Sequence, residues 1–83
     1  MTSWNPCEVS YEKRALKEIA RLGREDGERV RAAIERFATT GRGDVKPIRG
    51  ARHSYWELRA GLHLRAAFAL EDRQLKVLRV WRK

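Results

Sequence analysis

Eighty-three residues, 42% of them hydrophobic, suit a single small domain spanning 1–83. That is too short for a two-domain enzyme or a dinucleotide-binding fold. Nineteen Lys and Arg against eleven Asp and Glu give a formal net charge of +8, which points to acidic partners. The longest apolar run, Ala66 to Leu70, falls far below the roughly 18 residues that span a bilayer. No basic-then-apolar leader opens the chain, and the lone Cys7 cannot close an internal disulfide, so the expected setting is a reducing cytoplasm without membrane contact.

In chain order, Cys7 and Val9 alternate with Glu8 and Ser10, a short strand pattern. Pro6 at its start suits a sheet edge, and Cys7 reads as a strand residue rather than a nucleophile. Ser10 is placed to cap a helix. The spacing predicts that helix over 11–22, with Ala15, Leu16, Ile19, Ala20 and Leu22 on one face. Gly23 stops it. A second helix is expected over 25–39, carrying Val30, Ala33, Ile34, Phe37 and Ala38, with Gly27 weakening its start by up to about 1 kcal/mol. So short a link makes the pair an antiparallel helical hairpin. A loop at 40–44 follows, then an extended basic connector, Val45 to Gly50, in which Pro47 forbids helix.

The hydrophobic period then changes from helical to alternating. Three strands are predicted, over 55–59, 62–70 and 75–82. Leu75, Val77 and Trp81 point one way in the last of them, and Leu78 and Val80 the other. Trp56 and Trp81 read as core before they read as stacking platforms. A two-residue turn at Ala60-Gly61 would scramble the two faces of the first pair, so an odd loop, Ala60-Gly61-Leu62, is required. It sets Leu58 opposite Leu64, Trp56 opposite Ala66, Glu57 opposite Arg65 and Arg59 opposite His63. The fold expected is therefore α+β: a short N-terminal strand, a helical hairpin and a three-stranded antiparallel meander. One sheet face is dry and receives the helices; the other carries Tyr55, Glu57, Arg59, His63 and Arg65.

Charge is distributed unevenly. Residues 1–41 hold eight basic and seven acidic side chains, a net +1; residues 42–83 hold eleven and four, a net +7. Fourteen of the nineteen basic residues are Arg, whose fork grips phosphate at two points. A one-sided basic field of this kind is the footprint of a nucleic-acid partner. Cys7, His53 and His63 match no zinc spacing, and neither a glycine-rich phosphate loop nor a nucleophile elbow is present, so no metal or cofactor is expected. The chemistry left open is metal-free cleavage of RNA, which carries its own nucleophile in the 2′-OH. It needs a general base, a general acid and cations around phosphorus.

The order of elements resembles the RelE/ParE toxin superfamily of type II toxin–antitoxin systems. The resemblance is carried by Arg14-Ala15-Leu16-Lys17-Glu18 with Leu22, Lys46-Pro47-Ile48-Arg49-Gly50, Tyr55-Trp56-Glu57-Leu58-Arg59-Ala60-Gly61, Arg65, and Val77-Leu78-Arg79-Val80-Trp81-Arg82-Lys83. Trp56-Glu57-Leu58-Arg59 is similar to the phage-derived HigB-like branch. The resemblance implies a ribosome-dependent endonuclease that cuts mRNA in the A site. It also implies no cofactor, and a cognate antitoxin, expected here to be acidic and partly disordered. By position, Arg65 matches a phosphate-stabilising arginine and Arg82-Lys83 a basic pair after the last strand. Lys46, Arg49 and Arg52 match RNA-contacting positions, and Arg59 matches the arginine closing the second strand; Tyr55 is a further RNA-contact candidate.

RelE-type enzymes carry lysines on the second strand, where this chain has Trp56 and Glu57. The tyrosine-bearing C-terminal segment of some relatives has no counterpart in these 83 residues. The candidates left for the base are Glu57, His63 and His53. His63 is preferred because imidazole titrates nearest neutrality and the odd loop sets it beside Arg59. Arg65→Ala is expected to leave folding intact, and a cross-strand Arg65–Glu57 ion pair alone would contribute roughly 0.2–1 kcal/mol. The alternatives are a ParE-like inhibitor of DNA gyrase without nuclease activity, for which the missing lysines speak, and an inactive relative that only binds RNA or an antitoxin.

Overall fold

The structure, a computed structural model, describes residues 3–50 and 55–83. Its elements are β1 (Glu8–Tyr11), α1 (Lys13–Arg21), α2 (Arg24–Thr40), β2 (Asp44–Pro47), β3 (Tyr55–Arg59), β4 (Leu64–Glu71) and β5 (Gln74–Arg82). The strands form one sheet in the order β1-β5-β4-β3-β2, with β1 parallel to β5 and every other pair antiparallel. The α+β architecture and the helical hairpin match the sequence reading. The extended basic connector adds a fourth strand to the meander: β2 pairs with β3 at the sheet edge, where Pro47 is tolerated because it needs no outer donor.

Both helices lie on one face of the sheet. Ala15 and Ile19 of α1, four apart, are buried, and so are Gly27, Val30, Ile34, Phe37 and Ala38 of α2, at helical spacing. They pack on Leu58, Leu64, Ala66, Phe68, Leu75, Val77 and Val80 of the sheet. The N-terminal segment closes one end of this core. Trp4 donates from Nε1 to the Ala38 carbonyl at 2.8 Å, the Cys7 N–H donates to the same carbonyl at 2.9 Å, and the Trp4 ring lies 5.2 Å from Phe37. Gly41 ends α2 in the left-handed region (φ 75°), and a Cβ there would fall 2.6 Å from the Trp4 ring. Ser10 stays in β1 instead of capping α1, because pairing with β5 continues through Ser10–Lys76 and Tyr11–Val77. The N-cap is Glu12, without a side-chain bond.

Two registers differ from expectation. The β3–β4 loop is odd, as the polarity pattern requires, but two residues longer. Arg59 faces Arg65, Leu58 faces Ala66, Glu57 faces Ala67 and Trp56 faces Phe68. A slip by two leaves every side chain on its own face, so hydrophobic patterning cannot detect it. His63 consequently lies in the loop, outside β4. In β5 a bulge opposite Ala67/Phe68 inserts Leu78. Val77 and Val80 are both buried (0% and 2% exposed) on the helix face, which moves Trp81 to the helix-free face.

Gly27 sets the approach of the two helices: a Cβ there would sit 3.2 Å from both Cγ2 and the carbonyl oxygen of Ile19. Gly27→Val is therefore expected to destabilise the fold by about 1–3 kcal/mol, despite valine's better helix propensity. Urea denaturation followed by far-UV circular dichroism checks this; an unchanged midpoint would mean that the helix contact yields freely.

Candidate functional site

The helix-free face of the sheet takes its residues from all five strands. Alternation and register place Glu8 and Ser10 of β1, Asp44 and Lys46 of β2, Tyr55, Glu57 and Arg59 of β3, Arg65, Ala67, Ala69 and Glu71 of β4, and Gln74, Lys76, Arg79 and Trp81 of β5 on this side. Ala67 and Ala69 form a low floor flanked by longer side chains. The Glu57 carboxylate lies between two cations, with its Oε2 3.6 Å from Lys46 Nζ and 4.0 Å from Arg65 Nε. Arg59 Nε lies 3.5 Å from Asp44 Oδ2 in an exposed pair.

Arg65 is the buried charge of this face, at 5% exposure. Its Nη1 donates to the carbonyls of Gly61 (3.1 Å), Leu62 (3.3 Å) and Leu64 (3.0 Å). The carbonyl of His63 accepts from the Lys83 N–H at 2.6 Å. Each carbonyl from Gly61 to Leu64 is thus hydrogen-bonded, and the loop holds exposed Leu62 and His63 at the end of the sheet. None of these contacts uses Nη2 of Arg65. A guanidinium anchored through Nη1 and Nε is preoriented, and such anchoring is what a charge-stabilising group requires.

The sequence-predicted residues are only partly gathered. Lys46, Glu57 and Arg65 converge, with Tyr55 and Arg59 beside them. His63 joins Lys83 at the sheet end. Arg82 is turned to the helix side, where its Nη2 donates to Asp26 and to the Leu22 carbonyl. Arg49 is exposed in the turn after β2; Arg52 and His53 lie outside the described residues. The second half's excess charge is partly met by acids from the first half: Arg79–Glu18 at 3.0 Å, Lys76–Glu12 at 3.6 Å, and Arg82–Asp26. Sequence reasoning missed Trp81 on this face, because only the bulge puts it there. No cluster of metal-ligating side chains exists among the described residues, and no helix of the described chain is long and apolar enough to cross a membrane.

This architecture recurs in solved structures. The archaeal RelE–RelB complex from Pyrococcus horikoshii OT3 contains a chain that superimposes with a TM-score of 0.75 at 16% identity, covering 94% of this chain and 96% of that one. The E. coli DinJ–YafQ toxin–antitoxin complex gives 0.72 at 13% identity, with 94% and 93% covered. The YoeB dimer from Staphylococcus aureus gives 0.66 at 12% identity, with 90% and 94% covered. The chain has the RelE-like toxin fold. No protein-family model and no curated protein sequence matches it.

The burial of Arg65 changes the expectation for its removal. Arg65→Ala takes their side-chain donor from the Gly61 and Leu62 carbonyls, leaves the Leu64 carbonyl with the Ala60 N–H, and removes one of the two cations beside Glu57. It should therefore cost about 1–3 kcal/mol and not leave the fold unperturbed. Arg59→Ala, which breaks an exposed pair, should cost less than about 1 kcal/mol. Equal losses in urea denaturation would show that the loop hydrogen bonds contribute nothing.

Proposed function

We propose that this protein is the toxin of a type II toxin–antitoxin pair, acting in the cytoplasm as a ribosome-dependent mRNA endonuclease. The observation that carries this reading is the open sheet face on which Lys46, Glu57 and Arg65 converge, on a fold shared with RelE, YafQ and YoeB. The mRNA strand lies across the face with its scissile phosphate at Arg65 and Lys46, and Arg49, Tyr55 and Arg59 along its path. Glu57 takes the proton of the 2′-OH, because it is the carboxylate beside both phosphate-binding cations. The 2′-oxygen attacks the adjacent phosphorus and the P–O5′ bond breaks. A 2′,3′-cyclic phosphate remains, and the departing 5′-oxygen takes a proton from His63. Arg65 and Lys46 offset the charge that gathers on the phosphorane oxygens, and Lys83 extends the cationic end of the face.

A net charge of +8 suits an antitoxin with an acidic segment that folds on binding. The second reading, a gyrase inhibitor that cuts nothing, is favoured by the missing second-strand lysines and by one structural feature: Arg65 spends Nη1 on its own loop.

Cell-free translation with mapping of mRNA 5′ ends separates them. Cutting is expected from the wild type, with a loss of at least about 100-fold in Glu57→Gln and His63→Ala if each carries a proton. Lys83→Ala should reduce it less. Cutting unaffected by Glu57→Gln but lost in His63→Ala would move the base to His63. Intact message together with blocked DNA supercoiling would select the gyrase reading, and intact message at ribosome-saturating protein would remove the nuclease reading altogether.

A further inference from the structure

We propose that Trp81 is a stacking platform for one unpaired base of a single-stranded RNA, with the backbone of that strand running past Arg65 and Lys83. The proposal rests on the RNA reading of the helix-free face and adds a base contact to it. Under strict alternation Trp81 would share the core face with Leu75 and Val77. The bulge at Leu78 reverses this: Val80 takes the core position, and Trp81 faces Arg65 across the β4–β5 ladder. Directly paired residues of adjacent antiparallel strands lie about 5 Å apart at Cα, so Trp81 is the cross-strand neighbour of Arg65, whose guanidinium reaches away from β5 to the β3–β4 loop and Glu57.

β1 ends its pairing with β5 at Val77. Trp81 is thus on a stretch of β5 whose outer edge has no strand, and the indole is only half-buried. Core packing does not account for an indole on the face opposite the core. The next residue, Arg82, turns to the helices, and the one after it is tied by its N–H to His63. Trp81 is therefore next to Arg65 across the ladder and two residues before Lys83 along the chain, while Arg79 of the same face is drawn off to Glu18 around the edge. The acids of this face stand away from Trp81: Glu57 is held on the far side of Arg65 between its two cations, Asp44 pairs with Arg59, and Glu71 lies at the other end of β4. An aromatic plane flanked by cations is how proteins hold single strands without reading sequence, since every base has a π face. An acidic peptide is the competing occupant; it would use the cations without needing the ring.

The test is a tryptophan-fluorescence titration of the full chain with a short oligoadenylate at low salt, without ribosomes. Saturable quenching is expected. Trp81→Phe should bind within about threefold of wild type but lose most of the quenching, while Trp81→Leu, shown to be folded by circular dichroism, should bind about 5- to 100-fold more weakly. Equal affinity of Trp81→Leu and wild type, unchanged quenching in Trp81→Phe, binding of polyglutamate but not of RNA, or no RNA binding at low salt would each overturn the proposal. Stacking that persists without mRNA cutting would sink the nuclease reading alone.

Discussion

Burial of one sheet face against α1 and α2 settles which side chains remain free for chemistry. Val30, Ile34 and Phe37 of α2 press on Leu58, Ala66, Phe68 and Val80, with Phe37 and Phe68 rings 5.4 Å apart. Removing this much apolar surface from water is the largest favourable contribution available to so short a chain. Each residue that joins the dry face fixes its strand neighbours on the wet one. The convergence of Lys46, Glu57 and Arg65 is thus a by-product of where the leucines, alanines and valines must go. The β5 bulge belongs to the same constraint: it brings Val80 inward, and the cost is an indole left on the open side.

The structural role of Arg65 and the role proposed for it pull against each other. A buried guanidinium must be paired, because an uncompensated charge at this depth would cost several kcal/mol. The fold pairs it with Glu57 and with three carbonyls of the β3–β4 loop. Those bonds orient the guanidinium and stiffen the loop that bears Leu62 and His63. They also occupy one of its nitrogens. Whether the rest of the fork meets a phosphate decides between a nuclease and a non-cutting binder, so stability and activity must be measured separately at this position.

A second partly buried polar group is less well satisfied. Tyr11 is partly buried, its ring carries the Arg31 guanidinium 5.0 Å from its centroid, and its hydroxyl has no partner among the described residues. Burial pushes the phenol above its ordinary value, and Arg31 opposes that shift. Backbone strain sits in the β4–β5 turn, where Asp72 and Arg73 both take positive φ (48° and 63°) without a glycine. Arg73 is retained at a position where glycine would cost less, with its carbonyl accepting the Glu8 N–H at 2.8 Å.

Fold class, both helices, β3 and the division of the sheet into a dry and a wet face were legible in the linear order of residues. Each is written in local periodicity, and periodicity depends on the side chains alone. The β3–β4 register, the side on which Trp81 stands, the partners of Arg65 and the diversion of Arg82 to Asp26 could not be read that way. A shift of two residues preserves the pattern, a bulge inverts it without a marker, and an ion pair between residues 26 and 82 exists only after the chain has folded. Local hydrophobic order chose the elements; long-range packing chose which charges meet.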